Sequence, residues 1–100
     1  MHIKYVSSIM HLEFDPRKAA ANLRKHGVSF SEAAACLLDP LALVREDPAA
    51  EGEERLVLVG MSDQARLLTV CYTLRGEEGV RLISARKATT KEGRQYAQGV

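Results

Sequence analysis

Apolar residues recur at two different periods along this chain, and the change of period divides it. From Arg17 to His26, the residues Ala19, Ala20 and Leu23 fall on one side of a 3.6-residue turn, which predicts a helix. Asp15-Pro16 marks its start. Asp is a good N-cap, and proline at the first helical position gives up an N–H that has no intrahelical acceptor anyway. Arg24, Lys25 and His26 suit the negative end of the helix dipole, and Gly27 stands where a left-handed C-cap belongs. A second helix is predicted over Ser29–Leu38. Ser29-x-x-Glu32 has capping-box spacing, while Phe30, Ala33, Ala34, Leu37 and Leu38 supply an apolar face. Asp39-Pro40 ends it. Asp15–Leu38 therefore reads as an αα-hairpin joined at Gly27-Val28.

Outside this hairpin the pattern is that of strands. His11–Phe14 and Leu41–Val44 predict two short ones, and Glu46–Glu53 is an acidic loop containing Pro48 and Gly52. Arg55–Val59 leads to Gly60, Met61–Gln64 is a turn, and Arg66–Leu74 is rich in Leu, Val, Tyr and Thr, as a half-buried strand should be. Gly76–Gly79 connects it to Val80–Ala85, the third strand of a meander. Ala88–Ala97 predicts a short basic helix capped by Thr89 or Thr90. The order β-αα-βββ-α segregates helices from strands and predicts an α+β fold: a strand and αα-hairpin packed on an antiparallel sheet. Residues 1–9 read as an extension or an added strand through Ile3–Val6, with Met10 as an alternative start.

Composition fits one domain over 1–100. One hundred residues at 46% hydrophobic bury an adequate core without metal or disulfides. Cys36 and Cys71 lack ligand spacing and read as buried thiols. No window approaches 18 apolar residues, and Met1–Ser8 is too short and polar for a signal peptide, so the expected compartment is the cytoplasm, away from any membrane.

The net charge of +1 hides an uneven distribution. Residues 1–38 carry five basic and three acidic side chains, 39–64 two basic and seven acidic, and 65–100 seven basic and three acidic. Two concentrations of cations result: Arg24-Lys25-His26, and the series Arg81, Arg86, Lys87, Lys91 and Arg94. No P-loop, dinucleotide fingerprint or zinc-site spacing is present, so nothing nominates a cofactor or a metal.

Cations without a metal site suit metal-independent RNA cleavage. There the 2′-hydroxyl attacks the adjacent phosphorus, and the protein aligns the groups, moves two protons and stabilises phosphorane charge. Each well-aimed cation contributes about 3 kcal/mol, by analogy with one oxyanion donor. Histidine has the ordinary pKa nearest neutrality, which makes His26 the first proton carrier to consider. The same residues also fit plainer roles: Arg24 and Lys25 as dipole partners, His26 as a cap, Tyr72 as core, and Tyr96 as either a base-stacking platform or a pin for the last helix. Arg81 and Arg86 differ in strand parity and point to opposite faces unless a bulge intervenes or Arg86 lies past the strand end.

The run Leu12-Glu13-Phe14-Asp15-Pro16, Lys18-Ala19, Asn22, Lys25-His26-Gly27-Val28-Ser29-Phe30 and Glu32-Ala33 resembles the opening of BrnT toxins. Arg55, Gly60, Val70-Cys71-Tyr72-Thr73, Arg81-x-Ile83-Ser84-Ala85-Arg86-x-Ala88-Thr89, Glu92 and Tyr96 continue the resemblance, which spans about residues 12–96. Phe14 stands where tryptophan is usual, and Gly93 where a basic residue often follows the glutamate. The resemblance implies a RelE-like endoribonuclease toxin that halts translation. It also implies a BrnA-type antitoxin partner, with contact to DNA only through that antitoxin. Residue by residue, it implies Lys25, His26 and Arg86 in the active region, with Arg81 and Arg55 touching phosphate. Glu92 either orients an arginine or accepts a proton. Lys87, Lys91, Arg94 and Tyr96 are the further RNA contacts.

Two rivals come from other classes. A helix-turn-helix DNA-binding module fits the two short helices, but Ser31–Leu38 has no Arg, Lys, Asn or Gln to read bases or grip phosphate. The other rival is a toxin-like subunit that binds without cleaving.

Overall fold

The computed structural model describes residues 11–52 and 54–100. The readings of 1–9 and of Met10 lie outside the described residues. In chain order the elements are β1 (His11–Glu13), α1 (Pro16–His26), α2 (Phe30–Cys36), β2 (Leu43–Glu46), β3 (Leu56–Met61), β4 (Leu67–Arg75), β5 (Gly79–Lys87) and α3 (Thr90–Gln98).

The helix ends form where capping chemistry puts them. The Asp15 carboxylate accepts the Arg17 N–H at 2.8 Å, with Pro16 in the first turn. At the other end Gly27 is left-handed (φ 69°), and its N–H closes on the Leu23 carbonyl. Ser29 caps α2 by accepting the Glu32 N–H at 3.0 Å. The reciprocal half of the expected capping box is not made. Glu32 is buried and its carboxylate turns instead to Arg66 and to the Ser62 hydroxyl at 2.7 Å. Arg66 also donates to the Gly27 carbonyl at 3.1 Å, which ties the αα turn to the β3–β4 turn. A complete capping box occurs at α3, between Thr89 and Glu92.

The strands make one sheet in the order β1-β5-β4-β3-β2. The β3-β4-β5 meander is present, and β2 adds to it antiparallel. The first strand joins the same sheet at its other edge, where β1 pairs parallel to β5, with Leu12 opposite Val80. Its local pattern specified a strand but carried no information on partner or direction. Several boundaries also move, and β5 runs on to Lys87 where Ala85 was expected. The second helix stops at Cys36 rather than Leu38, and β2 starts at Leu43 because the Asp39 carboxylate caps the intervening turn through the Leu41 N–H at 2.9 Å.

One sheet face carries the core, where Val28, Phe30, Ala33 and Cys36 pack on Leu58, Leu68, Val70, Tyr72, Val80, Leu82 and Ala85. Phe14 packs edge-on against Phe30, with ring centroids 5.6 Å apart. The α2 helix buries Phe30, Glu32, Ala33 and Cys36 and so has no face to offer a DNA groove. Gly60 lets α2 approach β3 closely: a Cβ there would lie 3.1 Å from the Cys36 carbonyl oxygen. β1 covers only the first part of β5, and beyond it Asn22 of α1 takes over. Its Nδ2 donates to the Ala85 carbonyl at 2.8 Å and its Oδ1 accepts the Ala85 N–H at 3.1 Å. A buried side-chain amide thus continues the ladder where the strand has ended.

Candidate active site

The second sheet face is set by one irregularity. Tyr72 pairs with Leu82, but the next residue back, Cys71, pairs with Ser84, so β5 carries an extra residue at Ile83. This bulge reverses the parity of everything after it. Arg81 sits opposite Thr73 and Arg86 opposite Thr69. Thr69 and Thr73 are four residues apart on one strand and share a face. Arg81 and Arg86 therefore share that face too.

Arg86 is held by a two-pronged ion pair. Its Nη1 and Nη2 donate to Glu92 Oε1 and Oε2 at 2.8 and 3.0 Å. The same carboxylate accepts the Thr69 hydroxyl at 2.9 Å and the Thr89 N–H at 2.8 Å. Arg86 is the main cause that lowers the Glu92 carboxyl to about 2, ahead of the Thr89 and Thr69 hydrogen bonds. Glu92 in turn raises the Arg86 guanidinium above its ordinary value. A carboxylate so engaged is a poor proton acceptor at neutral pH. Its geometry fits the orienting role.

Beside this pair lies a concavity of about 350 Å³. Thr69, Cys71 and Ser84 form its floor, Arg86 one side, and Arg45, Asp47 and Arg55 the other. Arg45 and Arg55 are exposed and make no ion pair or side-chain hydrogen bond among the described residues. Burial, followed by the nearby Asp47 charge, raises the Cys71 thiol, which leaves it protonated and a weak nucleophile at neutral pH. Arginines around hydroxyl groups make an anion site. The model for the family of the ribonuclease toxin BrnT, of type II toxin-antitoxin systems, matches residues 14–92. The chain belongs to the BrnT family. A crystal structure of the Brucella abortus ribonuclease toxin BrnT has the same fold, with a TM-score of 0.60 at 24% identity, covering 81% of this chain and 99% of that one. No curated protein matches the chain.

The other residues nominated in this BrnT chain fall into three places. Lys25 and His26, in the last turn of α1, border a second hollow of about 220 Å³ with Lys18, Asn22, Ile83 and Ser84. Ile83 and Ser84 belong to both hollows, so the α1 cations and Arg86 lie on either side of the β5 bulge. Arg81 is further off, about 13 Å along the sheet at roughly 3.3 Å per residue. It donates to Glu13 Oε1 at 3.1 Å and does not line the concavity. Lys87, Lys91 and Arg94 are exposed near α3. Tyr96 is committed elsewhere: its hydroxyl donates to Asp39 Oδ2 at 2.6 Å, which pushes the phenol up to about 12. That contact pins α3 to the end of α2, the plainer of the two readings of this residue.

Sequence reasoning did not nominate Arg45, Asp47, Thr69 or Ser84. Ser84 and Thr69 sit inside runs that read as ordinary strand, and Arg45 stands in a short edge strand within an acidic segment. Only the register that aligns Arg45 with Val57, Val57 with Cys71, and Cys71 with Ser84 brings them into one row.

Proposed function

We propose that this chain is an endoribonuclease toxin that cleaves RNA without a metal ion, at the β5 bulge. The 2′-hydroxyl oxygen attacks the adjacent phosphorus and its proton passes to His26. The bond from phosphorus to the 5′-oxygen breaks and that oxygen takes a proton from water, giving a 2′,3′-cyclic phosphate and a 5′-hydroxyl. Arg86 stabilises the phosphorane oxygens, with Glu92 fixing its guanidinium, and Lys25 and Arg55 contact phosphate. One observation carries this reading: an arginine locked by a buried carboxylate faces a concavity whose opposite side holds two arginines that are unpaired among the described residues.

Membership in the family brings an RNA substrate and a protein antitoxin. We read the target as RNA used in translation and the antitoxin as BrnA-type, acting in the cytoplasm and linking the complex to DNA. No helix among the described residues is long and apolar enough to cross a membrane. Induced expression of the chain without its partner tests the reading. Wild type arrests growth with RNA cleavage, and Arg86→Ala, folded by circular dichroism, abolishes both. Intact RNA in wild-type cells, or equal arrest by Arg86→Ala, contradicts it.

A further inference from the structure

We propose that Arg45 and Arg55 form a second phosphate subsite, which binds the backbone phosphate next to the scissile one in a single RNA strand. The inference rests on the ribonuclease reading and names what that site selects: a strand with at least one phosphodiester beyond the bond that breaks.

Placement comes first. Arg45 pairs with Val57 on β2, Val57 with Cys71, and Cys71 with Ser84, so Arg45 stands at the far end of the row that crosses the floor of the concavity. Three strand spacings separate β2 from β5, about 14 Å at roughly 4.8 Å each. The two long side chains would need to lean together to grip one phosphate. Arg86 is not free to do so, because its fork to Glu92 holds it on the α3 side. The anion sites are therefore two, one on each side of the floor.

The far side is electrostatically unbalanced. Arg45 and Arg55 are exposed and unpaired among the described residues. Asp47 lines the same concavity, and its carboxylate accepts the Ala49 N–H at 3.0 Å. Two uncommitted guanidiniums offer planar forks that match phosphate oxygens. The floor between the two sides carries the small side chains of Thr69, Cys71 and Ser84. A volume of about 350 Å³ is near the lower end of ligand sites, which run from roughly 300 to 1,000 Å³. It takes part of a single strand, not a duplex, the form in which RNA bases are open to contact.

Two measurements on the full-length chain test this. The first compares cleavage of a trinucleoside diphosphate with that of a dinucleoside monophosphate. Wild type prefers the longer substrate in kcat/KM, and in Arg45→Ala that preference falls about tenfold, with Arg45→Lys recovering part of it. The second follows binding of a single-stranded 2′-O-methyl RNA oligonucleotide, which cannot be cleaved by 2′-attack, as salt rises. The slope of log affinity against log salt falls by about 0.7 in Arg45→Ala, the value for one lost phosphate contact on a single strand. A variant that keeps both the wild-type preference and the wild-type slope overturns the subsite. If wild type cleaves neither substrate, the ribonuclease reading fails, and the binding slope alone decides whether the subsite stands.

Discussion

Glu92 does two jobs with one carboxylate. Oε1 completes the capping box of α3 by accepting the Thr89 N–H, and both oxygens hold the guanidinium of Arg86. The side chain is only 11% exposed, so these contacts are screened little by water. Because folding lowers this carboxyl from 4.5 to about 2, its stabilisation is complete above pH 4.5 and disappears as pH falls towards 2. Glu92→Gln keeps the shape but loses the charge. The variant is expected to lose about 1–3 kcal/mol near neutral pH. Its unfolding free energy should also flatten between pH 4.5 and about 2, where that of wild type declines. Denaturant titrations of both proteins across that range check this, and parallel pH profiles would contradict it. The residue was legible as a partner of arginine through the resemblance. Its second role became visible only when Thr89 proved to be the cap.

At the scale of elements, the site depends on how β5 is built. The bulge at Ile83 turns Arg86 onto the face of Thr69, and Asn22 holds the bulged segment from its open edge. Asn22 also donates to the Val28 carbonyl at 3.0 Å, so one buried amide links α1, the αα turn and β5. Asn22→Ala leaves the Ala85 N–H, the Ala85 carbonyl and the Val28 carbonyl without this partner. The expected loss is about 3 kcal/mol, seen as a lower denaturant midpoint with an unchanged m-value. A midpoint within experimental error of wild type would show that the amide does not support the strand.

Helix ends were readable in the sequence because capping is local: Asp15-Pro16, Gly27 and Thr89 each act on their own neighbours within a few residues. The bulge was not. Parity arithmetic required a bulge, or Arg86 past the strand end, for Arg81 and Arg86 to share a face, but the pairing that creates the bulge involves Cys71 and Tyr72, on the neighbouring strand. The parallel pairing of β1, the row containing Arg45 and the capture of Glu32 by Arg66 are non-local in the same way. One of the nominated cations also met a partner that sequence order did not suggest, Arg81 with Glu13.

Over the whole molecule, folding redistributes charge that the sequence keeps in blocks. The acidic segment 39–64 contributes Arg45 and Arg55 to one side of the concavity, and the basic segment 65–100 contributes Arg86 to the other. A net charge of +1 therefore conceals a face on which three arginines converge. On the proposed reading, such a local field attracts an anionic strand although the chain as a whole is nearly neutral. Lys25 and His26 extend the cationic border past the bulge along α1. The central claim is that this face cleaves RNA by 2′-hydroxyl attack without a metal. The most direct measurement is end-group analysis of a single-stranded RNA incubated with the purified full-length chain in excess EDTA. The account predicts 2′,3′-cyclic phosphate and 5′-hydroxyl ends, formed about 100- to 1,000-fold more slowly by Arg86→Ala. Intact RNA in EDTA with cleavage restored by Mg²⁺, or products ending in a 3′-hydroxyl, would contradict it.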